Sequence, residues 1–222
     1  EILFDICPHY KQTYFLKIAD CQSLGQRSAM KYDRDGDEHY DILSAFQKSI
    51  RGSDPNAAIF YLAKLVEADD LISPCRRLLV IASEDIGLAY PQAISIVKSC
   101  VDAAMQLGYP EARIPLAEAT IFLATSPKSN SAICAIDEAI SDIKEGKGVS
   151  IPTHLLDSHY AGSSKLGHGV NYVYPHNFPN HYIYQQYLPN DIKTKTYYHY
   201  GDNKIEQTSK KYWEEITNTK IK

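Results

Sequence analysis

Residues 54–67 read DPNAAIFYLAKLVE, and the fold class turns on them. Asp54 is a helix-capping residue type. Pro55 behind it suits the first helical position, where a missing N–H costs nothing and a fixed φ already fits. Ile59, Leu62, Ala63 and Val66 then recur three and four apart, which lays one apolar face along a helix. Working outward, the same period runs through Ile42, Ala45, Phe46, Ser49 and Ile50, and the helical pattern extends from His39 to about Gly146. Ser73-Pro74 and Ser126-Pro127 repeat the cap and proline; Tyr90-Pro91 and Tyr109-Pro110 repeat the proline alone. Gly52, Gly87, Gly108 and Gly146 supply stops between them. The prolines fall 19, 17, 19 and 17 residues apart, which predicts short helices joined by tight turns. Two such helices have the length of a helical hairpin repeat, but no side-chain consensus recurs with them. The expected fold class is therefore all-α, a compact helical bundle, with alanines such as Ala57, Ala58 and Ala63 letting helices approach closely.

The chain has 222 residues, 44% hydrophobic and 23% charged, enough for a sizeable core in one large domain or two small ones. A net charge of −4 argues against a general polyanion binder. Five scattered cysteines, an odd number with no C-x-x-C, read as reduced intracellular thiols and not as a disulfide or zinc framework. No apolar run approaches a membrane span, so no membrane partner is expected. The start, EILFDICPHY, has neither an initiator Met nor a signal-like core, which suggests a fragment of something longer. Composition breaks near Ser150. Residues 150–222 hold eight Lys/Arg against six Asp/Glu, a net of +2, while the body carries a net of −6. The same C-terminal part holds ten of the seventeen tyrosines and six of the eight histidines.

Few motifs carry chemistry. There is no G-x-x-x-x-G-K-[ST], and Ala135-Ile136-Asp137-Glu138 resembles a Walker B ending only in letters, since it lies in a helical pattern. Glu84 and Asp85 close a helix, where carboxylates oppose the macrodipole, so a cationic partner such as Arg76 or Arg77 is expected. His159, His168, His176 and His181 are nine, eight and five apart with no cysteine nearby, a poor match to metal-ligand spacing. No S-x-x-K or G-x-S-x-G marks a nucleophile. The Tyr/His-rich segment therefore has two readings. Its tyrosines can stack on bases while Lys165 and Lys193 neutralise phosphate. Alternatively it is a strap, its aromatic bodies docked and its polar tips satisfying backbone groups.

Several strings occur in order: YDRDGDEHYD (32–41), SAFQKSIRGSD (44–54), ASEDIGLA (82–89), PEARIPLAEA (110–119), SPKSN (126–130), KLGHG (165–169) and YLP (187–189). Together they closely resemble the C-terminal half of the RarA/MgsA family of AAA+ ATPases, over about residues 17–200. These are replication-associated recombination factors related to the Werner-helicase-interacting protein and, more distantly, to clamp loaders. The resemblance implies three parts: the end of the AAA+ lid and a linker (1–38), a helical oligomerisation domain similar to the clamp-loader collar (39–149), and an irregular Tyr/His-rich C-terminal strap (150–222). It implies a cytoplasmic, nucleoid-associated homotetramer acting on DNA ends and forks and associating with single-strand DNA-binding protein. ATP and Mg would bind an upstream module, so this stretch is expected to hold no cofactor, no metal, no catalytic residue and no ATPase activity of its own. The expected oligomer or packing contacts are Arg51, Arg76, Arg77, Glu84, Asp85 and Arg113. The expected strap contacts, to DNA or a partner protein, are Lys165, His168, Tyr172, Tyr174 and His176.

Overall fold

The computed structural model describes residues 9–10, 13–14, 37–158 and 168–218. Seven α-helices dominate: α1 (Asp37–Arg51), α2 (Pro55–Glu67), α3 (Ile72–Ile81), α4 (Ala93–Leu107), α5 (Arg113–Thr125), α6 (Ser131–Lys144) and α7 (Lys204–Asn218). The only strands among the described residues are a two-residue antiparallel pair, β1 (His9–Tyr10) and β2 (Thr13–Tyr14). The all-α expectation holds.

Local chemistry explains the helix boundaries. Asp54 caps α2 as expected, its Oδ1 accepting from the Asn56 and Ala57 amides at 3.0 and 2.9 Å. The cap of α3 is not Ser73. Asp70 Oδ1 accepts from the Ser73 amide at 3.1 Å, so Ser73 and Pro74 lie inside the first turn. Ser126-Pro127 does not start α6 either. Residues 127–130 stay out of helix, the Ser129 amide donating to the Asp85 carbonyl at 2.8 Å, and the helix begins at Ser131. Tyr90-Pro91 and the cis Tyr109-Pro110 sit in turns ahead of α4 and α5. The glycine stops work as read at Gly108 and Gly146, with φ of +67° and +80°. After α1 the left-handed residue is Ser53, at φ +59°, one place beyond Gly52.

Chain packing gives two units, each with its own interior: residues 1–79 with 97–125, and 80–96 with 126–222. In the first, α1, α2 and α5 pack on one another around Phe46, Ile50, Leu65, Leu116 and Leu123. In the second, the last residues of α3 run into a π-helical turn (Ala82–Ile86) and a 3-10 turn (Gly87–Ala89) that packs on α6 and α7. Gly87 has φ +45°, and a Cβ there would stand 3.0 Å from the Ser129 carbonyl oxygen, so the position demands glycine. Beyond Ser150 the described chain is irregular through Tyr200, with 3-10 turns at Thr153–Leu155, Pro175–Asn177, Pro179–His181 and Asn190–Ile192. It then closes with α7, which the reading of an irregular extension did not anticipate.

Candidate interaction surfaces

The sequence of α5, RIPLAEATIFLAT, is apolar on nearly every side. Leu116, Ala119 and Leu123 face the core and are fully buried, yet Ile114 and Ile121 are 61% and 47% exposed. Ile114 and Ala117 join Ile59, Leu62, Ala63 and Val66 of α2 to line a groove of about 420 Å³. Its only charged lining residues are Glu67 and Arg113. A helix apolar all round is expected to be covered on all sides, and contiguous exposed apolar surface marks an interaction site.

The second unit is organised by two buried carboxylates. Glu206, in the first turn of α7, is 1% exposed. It accepts from Ser129 Oγ and Ser131 Oγ, each at 2.6 Å, from Tyr198 OH at 2.9 Å, from the Gly201 amide at 3.1 Å and from Asn203 Nδ2. Burial alone would raise its pKa; the donors outweigh that and hold the carboxyl at about 2. Asp142 on α6 meets Lys147 Nζ at 3.0 Å, Lys195 Nζ at 3.1 Å and Tyr197 OH at 2.9 Å. Hydrogen bonds from Lys147, Lys195 and Tyr197 likewise hold it at about 2. Together with Lys195–Glu138 at 2.9 Å, these groups tie residues 195–206 onto α6 and the loop before it. The strap is thus docked within its own chain.

The strap also satisfies its own backbone, through glutamines more than tyrosines. The Gln185 side-chain amide takes both main-chain groups of Val173, at 2.7 and 3.3 Å, and Gln186 Nε2 donates to the Leu188 carbonyl at 2.9 Å. His154 Nε2 lies 2.8 Å from the Gln186 carbonyl oxygen. Beside α7, Tyr198, His199, Tyr200, Lys210, Trp213 and Glu214, with Lys195 and Thr196, line a cleft of about 550 Å³. Tyr198 and Tyr200 have ring centroids 4.6 Å apart.

The residues expected from sequence are distributed as follows. Arg77 Nη1 donates to Gln47 Oε1 at 2.7 Å, and Arg113 Nη1 donates to the Pro110 carbonyl at 2.9 Å. Arg51 and Arg76 are exposed on α1 and α3. Glu84 and buried Asp85 occupy the π turn, not an α-helical terminus, and half-buried Lys128 is electrostatically coupled to Asp85. Lys165 lies outside the described residues. His168 is half-buried, whereas Tyr172, Tyr174 and His176 are exposed. Of these, Tyr174 and His176 come together at 5.1 Å between ring centroids, with His181 4.8 Å beyond. Asp137 and Glu138 are indeed helical, on α6. Sequence reasoning passed over Glu206, Asp142, Ser129, Ser131, Tyr198 and Trp213. One signal was available: Asn203-Lys204-Ile205-Glu206 has the N-cap-x-x-Glu form, and Asn203 Oδ1 does accept from the Glu206 amide at 3.0 Å.

In the first unit Asp70, His39 and Ser73 stand in triad order, with His39 Nε2 3.4 Å from Ser73 Oγ and Nδ1 3.7 Å from Asp70 Oδ2. The second distance exceeds a hydrogen bond, and both His39 and Asp70 are buried. Asp70 instead caps α3, while its carbonyl accepts from Tyr109 OH at 3.1 Å. Burial, reinforced by Asp70, pushes the Cys75 thiol up to about 11, which makes it an inert core residue. Among the described residues no helix is long and apolar enough to cross a membrane, and no group of three His, Cys, Asp or Glu side chains could hold a metal ion.

Comparison with known proteins gives two family matches. Residues 52–217 match the family described as MgsA AAA+ ATPase C terminal, and residues 1–51 match the AAA C-terminal domain. The two meet at the end of α1. Replication-associated recombination protein A of Bacillus subtilis is 60% identical over 173 residues, covering 78% of this chain and 41% of that protein. An AAA domain-containing protein of Mycobacterium tuberculosis is 47% identical over 173 residues, covering 78% and 38%. Replication-associated recombination protein A of Escherichia coli K12 is 36% identical over 176 residues, covering 78% and 39%. The chain thus spans about two fifths of the length of these relatives.

Proposed function

The chain belongs to the MgsA AAA+ ATPase family, matching its C-terminal part, and from that premise we propose that it is the self-assembly module of a replication-associated recombination ATPase. The single observation that carries the assembly reading is the outward apolar side of α5, where Ile114 and Ile121 are exposed and Ile114 lines the α2–α5 groove. The occupant is a second copy of the same face. Glu67 and Arg113 both line the groove, so a two-fold arrangement sets the acid of each copy against the base of the other. A homotetramer needs a second interface beyond this one. ATP and Mg would act in an AAA+ module of a longer parent, and DNA ends, forks and single-strand DNA-binding protein would be met through that parent in fork maintenance, recombination and repair.

Light scattering over a concentration series tests the reading. The expected mass is a multiple of 25.0 kDa. Ile114→Asp removes an apolar anchor and buries a charge, weakening association by roughly 2 kcal/mol or more, about 30-fold. A monomer at every concentration, or an Ile114→Asp variant that associates like the parent, would overturn it.

A further inference from the structure

We propose that the aromatic cleft beside α7 holds a base of single-stranded nucleic acid, with Trp213 and Tyr200 as stacking platforms and Lys210 as the phosphate contact. This goes beyond assembly, and rests on the replication-associated reading only in preferring nucleic acid to another aromatic ligand. The cleft, at about 550 Å³, is in the range of small-ligand sites and admits a base with its sugar. Its walls are ring faces. Tyr198 is fixed by its hydroxyl bond to Glu206 at 2.9 Å and by its ring contact with Tyr200, so one wall is rigid before any ligand arrives. Trp213 is 51% exposed at the same cleft, an unusual position for the chain's one tryptophan unless something covers it.

Charge decides between ligand classes. Lys195 and Lys210 both line the cleft, which disfavours a cationic guest. Lys195 is committed to Glu138 and Asp142. Lys210 lies one helical turn from Trp213 and forms no ion pair among the described residues. It is therefore placed to meet a phosphate while the indole meets a base, the usual pairing for single strands. Glu214 lines the cleft as well and opposes any anionic guest, so it is the stacking on ring faces, which an acidic peptide cannot offer, that favours a base.

Because Trp213 is the chain's only tryptophan, its fluorescence reports the cleft directly. Titrating the 222-residue chain with oligo(dT) at low salt should quench it, and the quench should weaken steeply as salt rises. Tyr200→Ala and Lys210→Glu should each weaken binding roughly tenfold, and by oligonucleotide anisotropy Trp213→Ala should do the same while Trp213→Phe, which keeps a ring to stack on, should lose less. Light scattering on the same variants should give an unchanged mass, so a failure here is distinguishable from a failure of the assembly reading. No binding at low salt overturns the proposal. So does anisotropy change without quenching, which places the strand elsewhere, or quenching by an acidic peptide and not by oligo(dT).

Discussion

Glu206 accepts hydrogen bonds from five donors at 1% exposure, and its charge is what those donors are arranged around. The folded pKa of about 2 lies below the ordinary 4.5, so its contribution to stability is fully present above that ordinary value. It is lost as pH falls through the folded pKa. Asp142 acts in the same direction, at about 2 against 3.8. The melting temperature should therefore drop between about pH 4.5 and 2. Glu206→Gln keeps the shape but turns an amide N–H₂ toward hydroxyl and amide donors, a cost of roughly 1–3 kcal/mol at neutral pH. The variant should also show a shallower acid limb in thermal melts at a series of pH values. An acid limb as steep as the parent's would mean that Glu206 is not a principal source of it.

At the scale of elements, helix ends were legible where the signal is local and misread where a tertiary partner intervenes. Asp54 needed only its own neighbours, and the reading of α2 from its cap, proline and apolar spacing held. Ser73-Pro74 looked equivalent, but Asp70 reaches the Ser73 amide from three residues upstream and claims the cap. Ser126-Pro127 failed because Ser129 is engaged by the Asp85 carbonyl and by Glu206, both far away in sequence. The outward side of α5 was overlooked because an apolar helix reads as core. The start of α7 was overlooked because its polar composition blended with the strap. Capping now gives a graded prediction. Asp54→Ala loses a cap whose oxygen serves two amides and should cost about 1 kcal/mol. Asn203→Ala should cost more in a chemical-denaturation midpoint, because Asn203 caps α7 and donates to Glu206 as well. Equal losses would reduce the Glu206 socket to an ordinary helix cap.

For the whole molecule, the strap and the proposed assembly face fall in different packing units, so the two roles can be separated by one truncation. A chain ending at Ser150 loses Glu206, Lys195 and Tyr197, which takes away the Glu206 acceptor of Ser129 and Ser131 and leaves Asp142 with Lys147 alone of its three partners. Each hydrogen bond lost to Glu206 is worth roughly 1 kcal/mol, so the melting temperature should fall by several degrees or an early transition should appear. The truncation leaves α2 and α5 untouched, with Ile114, Glu67 and Arg113 still lining their groove. Self-association measured by light scattering should therefore survive below the new transition, whereas oligonucleotide binding should vanish with Tyr200, Lys210 and Trp213. A stable monomer would transfer the assembly role from the α2–α5 face to the strap. An unchanged melting temperature would mean that the carboxylate sockets do not hold the unit together, and the docked strap would then need a reason to exist other than stability.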